Sequence, residues 1–169
     1  HTHVPTIWNA QNKVIDNVDW TRPAKDTLTS RWKLPNEVSF GSSIRVEQDQ
    51  VAMDLELTNG TQQKLEKLRT QVCVMLKGAP AFAALSNANK RFGKNVAAVG
   101  DESGRRWVLT AWQHAIRLWG NPRVPCLHVD PIFDDCEPGQ TVRLRGRLWF
   151  YEGSNIEAEM ERAGAAWSL

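Results

Sequence analysis

No apolar run in this 169-residue chain approaches the roughly 18 residues that a membrane helix requires, so a spanning helix is excluded. Neither sign of charge dominates. The 21 Lys and Arg face 19 Asp and Glu for a net charge of +2, too little to hold a polyanion by bulk charge, and nucleic acid drops out as a partner. Cysteine is scarce: Cys73, Cys126 and Cys136 are too few and too scattered for a disulfide scaffold. Tyrosine is nearly missing, with one Tyr against eight Trp. That imbalance leaves two uses for the indoles, a Trp-rich core or a set of ring platforms for a ligand. At 19.1 kDa the chain is one domain's worth of sequence, 1–169, able to bury roughly 70% of the surface it exposes when unfolded.

The chain starts at His1 rather than Met, with no charged and apolar leader, and reads as a processed product or an excised fragment. Cys126 and Cys136 bracket LHVDPIFDD and could close a small loop in an oxidising compartment. Cys73 sits in the apolar run VCVML and is expected to pack as a small buried hydrophobe. Asn59-Gly60-Thr61 matches a glycosylation acceptor, but an Asn-Gly pair between two strands is more simply a hairpin turn.

Periodicity points to strands. Val51, Met53, Leu55 and Leu57 alternate with polar or small residues, and after Asn59-Gly60 the stretch 65–76 is expected to return as the partner strand. The stretch 78–94 is rich in Gly, Pro and small residues and reads as an irregular connection. Strands resume at 95–99 and 106–112, the latter apolar on both faces and therefore either a central strand or one bearing a ligand surface. Past Pro138-Gly139 a long alternation runs through Val142, Leu144, Gly146, Leu148 and Phe150, with Arg143, Arg145 and Arg147 on the other side. Ser154 and Glu157 then form a capping-box pattern, and Ile156, Met160 and Ala163 share a helical face. Eight to ten strands and one terminal helix make an all-β antiparallel sandwich with a short C-terminal helix.

The richest segment for chemistry is 112–136, where three prolines argue for rigid loops rather than a sheet ladder. It combines indoles with imidazole, carboxylate and guanidinium groups, the mixture that stacks on the C–H face of a sugar and hydrogen-bonds its hydroxyls. Trp112, Trp119, Arg106 and Arg117 are the candidate ligand-binding residues, and His128, Asp130 and His114 the candidate acid–base groups. His128 and Asp130 are two apart, so on an extended segment they face one side and could act as base and orienter or as metal ligands.

His1-Thr2-His3 is the second constellation. A free terminal amine with the His1 imidazole is a bidentate copper chelate, His3 can add a third nitrogen, and His128 is a further candidate ligand; copper or zinc is the expected metal. At His1 alone this resembles the copper brace of lytic polysaccharide monooxygenases.

The late segment CLHVDPIFDDCEPGQTVRLRGRLWFYEG resembles the closing strands of galactose-mutarotase-like supersandwich proteins. There a His- or carboxylate-bearing loop precedes a Pro-Gly-Glu-like turn and a long strand, and here Gln140 stands where that pattern prefers Glu. The expected hairpin Val51 to Leu76, with the CVMLKG-type segment Cys73 to Gly78, is similar to the sandwich strands of uncharacterised secreted bacterial proteins. The resemblance implies a supersandwich-like fold, a carbohydrate ligand, mutarotase- or lyase-like acid–base chemistry and a secreted or periplasmic location. Two other expectations stand beside it: a copper or zinc protein, and an assembly module that self-associates through exposed Trp and strand edges.

Overall fold

The computed structural model describes residues 8–13, 15 and 18–165. An eight-stranded antiparallel sheet runs in the order β1 (Thr21–Ala24), β2 (Thr27–Lys33), β3 (Ser39–Val46), β4 (Gln50–Thr58), β11 (Thr141–Glu152), β8 (Arg106–Trp112), β7 (Val96–Gly100) and β6 (Lys90–Phe92). A second sheet of three strands has β10 (Cys126–Pro131) between β5 (Cys73–Met75) and β9 (Ala115–Asn121). Among the described residues one α-helix, α1 (Ile156–Ala165), follows β11. This is the expected sandwich with its C-terminal helix.

The alternation that marks β11 in the sequence fills two different cores. Leu144 faces the small sheet and joins Val99, Val108, Trp112, Leu127 and Val129 between the sheets. Trp149, on the opposite face, packs with Trp107, Leu109 and Ala111 beneath Ile156, Met160 and Ala163 of α1. Strands β7 and β8 are thus covered on both sides, as a central strand apolar on both faces requires. The helix takes its cap from Asn155, whose Oδ1 accepts the Ala158 N–H at 3.1 Å; the residue before it, Ser154, was the expected cap.

The segment after β4 departs from expectation. Asn59-Gly60 does not turn a hairpin: β4 pairs with β3 and β11, and 65–76 does not return beside it. Asn59 is fully buried. Its amide donates to the carbonyls of Gln63 and Cys136, each at 2.8 Å, while Oδ1 accepts from the Thr61 N–H and hydroxyl. The side chain supplies every partner the bend needs, so the chain leaves the large sheet instead of folding back along it. It meets the other sheet through single bridges, Leu65 to Cys136 and Arg69 to Ile132, before pairing as β5. With both amide hydrogens engaged, Asn59 is no glycosylation site in the folded chain.

Segment 112–136 also differs from the loops expected there: β9 and β10 form a paired hairpin. The prolines sit where a ladder tolerates them, Pro122 and Pro125 in the turn and Pro131 at the end of β10, where the register shifts. All three cysteines are free thiols, so the Cys126–Cys136 loop is not closed, and Cys73 is exposed rather than buried.

Gly146 is a close approach that the core depends on. A Cβ built there would lie 2.4 Å from ring carbons of the buried Trp112. Gly146→Ala is therefore expected to destabilise the fold by about 1–3 kcal/mol, the cost of forcing a methyl into a packed core. Chemical denaturation checks this, and an unchanged midpoint would contradict it.

Candidate functional site

The small sheet covers only part of the inner face of the large one. Beyond that cover, the inner residues of β2, β3 and β4 face the irregular chain of residues 68–72 across a cleft of about 600 Å³. Its wall is aromatic and aliphatic. Register places Trp32 opposite Phe40, and their rings stack at 4.9 Å with 10° between planes. Trp20, close to half exposed, stands at the mouth, and Ser42, Thr70 and Gln71 supply hydroxyl and amide groups. Trp112 and Phe133 line the inner end, where the cleft runs into the core.

A second arrangement lies on the outer face of the small sheet. Cross-strand pairing puts Cys73, His128 and Trp119 in one row over β5, β10 and β9, with Cys126 and Asp130 two residues either side of His128. The Trp119 ring stacks on His128 with centroids 3.9 Å apart and 13° between planes, and the Arg117 guanidinium lies 4.6 Å from its centre. Asp130 accepts from Trp119 Nε1 at 2.7 Å and from the Val72 N–H at 3.1 Å. Its Oδ1 is 3.6 Å from His128 Nδ1, which is buried and makes no hydrogen bond. Burial pushes the His128 imidazole down, against the nearby Asp130 carboxylate, which draws it up. Although Cys73 is exposed as a residue, partial desolvation of its thiol against Cys126 pushes it up to about 11. A depression of about 590 Å³ adjoins this face, lined by Arg69, Thr70, Gln71, Arg117 and Asp130 together with Ile116 and Ile132.

The structure thus brings together four of the expected residues, His128, Asp130, Trp119 and Arg117, and separates the others. Trp112 is not a ring on a loop: it belongs to β8 and is 2% exposed, its indole laid on Gly146. Nor is Trp119, whose ring already stacks on protein groups. His128 is 4% exposed, out of reach of a ligand the size of a sugar. His114 occupies the β8–β9 turn in a left-handed conformation, φ 51°, half exposed, with Nδ1 3.9 Å from Asp134 Oδ1. Arg106 serves a turn: its Nε donates to the buried Asp101 at 2.8 Å. His1 and His3 lie outside the described residues.

Trp20, Trp32 and Phe40 are the cleft residues that sequence reasoning left unassigned. Their signal was the Pro35-Asn36 turn between two alternating runs, which sets Trp32 against Phe40 once 27–33 and 39–46 are read as a hairpin.

No known family pattern and no curated protein sequence matches the chain. Solved structures do. A provisionally named aldose 1-epimerase from Escherichia coli K12 superposes with a TM-score of 0.56 at 9% identity, covering 81% of this chain and 69% of its own. A second protein of that provisional name, from Klebsiella pneumoniae, gives 0.51 at 12% identity over 85% of this chain and 55% of its own. The Slr1438 protein of Synechocystis gives 0.50 at 11% over 80% and 65%. The chain shares its sandwich fold with these structures at low identity, and it spans between 55% and 69% of their lengths.

Asp101, in the β7–β8 turn held by Arg106, gives the fold a pH signature. The Ser103 hydroxyl, and then the Arg106 guanidinium, hold its carboxyl well below the usual carboxylate range. A depressed folded pKa means the stabilisation is full above the unfolded value of about 3.9 and is lost as pH falls through the folded pKa. Asp101→Asn is expected to lower the urea midpoint at pH 7, with the two proteins converging in strong acid. A gap between them that stays constant across that range would contradict the assignment.

Proposed function

We propose that this protein binds carbohydrate in the cleft between the large sheet and residues 68–72. The observation that carries the reading is the aromatic wall of that cleft, the Trp32–Phe40 stack with Trp20 at the mouth, beside hydroxyl and amide groups in a space of about 600 Å³. A volume of this order holds a small ligand. Indole and phenyl rings take the apolar C–H face of a pyranose, while Ser42, Thr70 and Gln71 offer both donors and acceptors to its hydroxyls. The fold is one found in proteins provisionally named aldose 1-epimerases, which adds support for a sugar over other ligands of that size.

Recognition is favoured over turnover. The histidine–carboxylate pair sits on the outer face of the other sheet, buried under Trp119. On β4 the Glu56 carboxylate is engaged by Arg31 at 2.5 Å and Arg143 at 3.1 Å, which hold it below the usual carboxylate range. It is therefore a poor proton donor. The expectation of a secreted or periplasmic location belongs to the same reading.

A glycan array followed by titration calorimetry tests the proposal. Wild type should bind a defined glycan class, and Trp32→Ala should weaken it about tenfold or more, from loss of ~1–2 kcal/mol of ring contact. Trp119→Ala should leave affinity unchanged. Absence of binding to every glycan presented, or equal loss in the two variants, would sink the reading.

A further inference from the structure

We propose that Cys73, Cys126 and His128 form a binding site for one thiophilic d10 cation, Zn(II), on the outer face of the small sheet. Cys73 also borders the cleft, but the donor set does not depend on what the cleft binds. Two thiols and an imidazole are the donor set that zinc takes in proteins, and they are softer than the oxygen ligands that magnesium or calcium require.

The sheet itself builds the cluster. Cys73 on β5 is the direct cross-strand partner of His128 on β10, and Cys126 is two residues from His128 along β10, so all three side chains leave the same face. Their donor atoms all lie within 4.8 Å of one another. Zinc–sulfur bonds of about 2.3 Å and zinc–nitrogen bonds of about 2.0 Å bring tetrahedral donors to roughly 3.5–3.8 Å apart, so a modest side-chain rotation closes the shell. Cys73 is exposed and can make that rotation, whereas Cys126 and His128 are fixed by burial.

A second observation points to the same ligand. His128 Nδ1 is buried without a hydrogen bond, and the nearest carboxylate oxygen, Asp130 Oδ1, stands just beyond bonding range at 3.6 Å. Asp130 is itself fixed by the Trp119 indole N–H and the Val72 amide, and Trp119 clamps the imidazole plane. A carboxylate behind a histidine is the arrangement that orients metal-bound imidazoles. With Nε2 on the ion, Nδ1 would carry the proton on the side of Asp130, whose Oδ1 stands at 3.6 Å. On binding, each thiol gives its proton to solvent as its sulfur–metal bond forms, with no change of oxidation state. Three protein donors leave the fourth tetrahedral position open on the side of the exposed Cys73.

The test uses the full chain, reduced and chelator-treated, titrated with Zn(II) and separately with Co(II). The expected result is about one zinc per chain by elemental analysis and, with cobalt, a near-ultraviolet thiolate charge-transfer band. Zinc should also protect Cys73 from alkylation. In Cys73→Ser, whose exposed position spares the fold, the charge-transfer band should fall and zinc affinity should drop tenfold or more. Cys136→Ser should bind as wild type, since Cys136 lies elsewhere with Sγ 3.3 Å from the Gln140 carbonyl. Circular dichroism of each variant confirms that folded protein is compared. Absence of a thiolate band, unprotected Cys73 with zinc present, or wild-type affinity in Cys73→Ser would overturn the proposal; the last of these would place any bound ion on other residues.

Discussion

A sheet of three strands is packed on a sheet of eight, and the rest of the molecule follows from that mismatch. An apolar sheet face must be covered by something. The three strands suffice for the β11, β8 and β7 half, where Leu127 and Val129 meet Val99, Val108 and Leu144 with almost no residual exposure. The remaining half, β2 to β4, carries Trp32, Phe40, Ile44 and Met53 inward with only a thin, irregular strap of residues opposite. The cleft is the part of the sandwich that its smaller layer does not reach.

Strand β11 joins the two halves. It pairs along most of its length with β4 on one side and with β8 on the other, so the rim of the cleft and the closed core share one backbone ladder. Its opposite face is closed by α1, where Trp149 donates its indole N–H to Glu159 at 2.8 Å and Glu159 in turn pairs with Arg162. Burying a large indole with its one polar atom satisfied makes this an inexpensive packing contact. The cleft wall is thereby set on a rigid support, which suits a site that recognises shape by ring contacts.

Much of the architecture is legible from residue order alone, because most of it is written at period two or 3.6. The strands β4, β7, β8 and β11 and the buried face Ile156, Met160 and Ala163 of α1 announce themselves by alternation or helical spacing. The failures have a common physical origin in side chains that replace backbone pairing. Asn59 looks like a turn residue, yet its amide bonds with Gln63, Thr61 and Cys136 send the chain to the other sheet. Prolines that argue against a ladder at 112–136 occupy its turn and its end. For the site, the sequence identifies the group His128, Asp130, Trp119 and Arg117 by spacing within one hairpin, but Cys73 joins it only through a pairing with β5 some fifty residues earlier. The indoles divide the same way. Trp107, Trp112 and Trp149 are packing residues, Trp119 seals a histidine, and Trp20 and Trp32 are left to the cleft.

The central claim is that the uncovered half of the large sheet, and not the histidine-bearing face of the small one, receives a carbohydrate. Indole N–H resonances report on this directly, because each tryptophan gives its own signal and the rings are distributed over distinct surfaces. On titration with a bound oligosaccharide, the Trp20 and Trp32 signals should shift progressively with concentration, while those of Trp119, Trp107 and Trp149 stay in place. Shifts confined to Trp119, with Trp20 and Trp32 unmoved at saturation, would contradict the account.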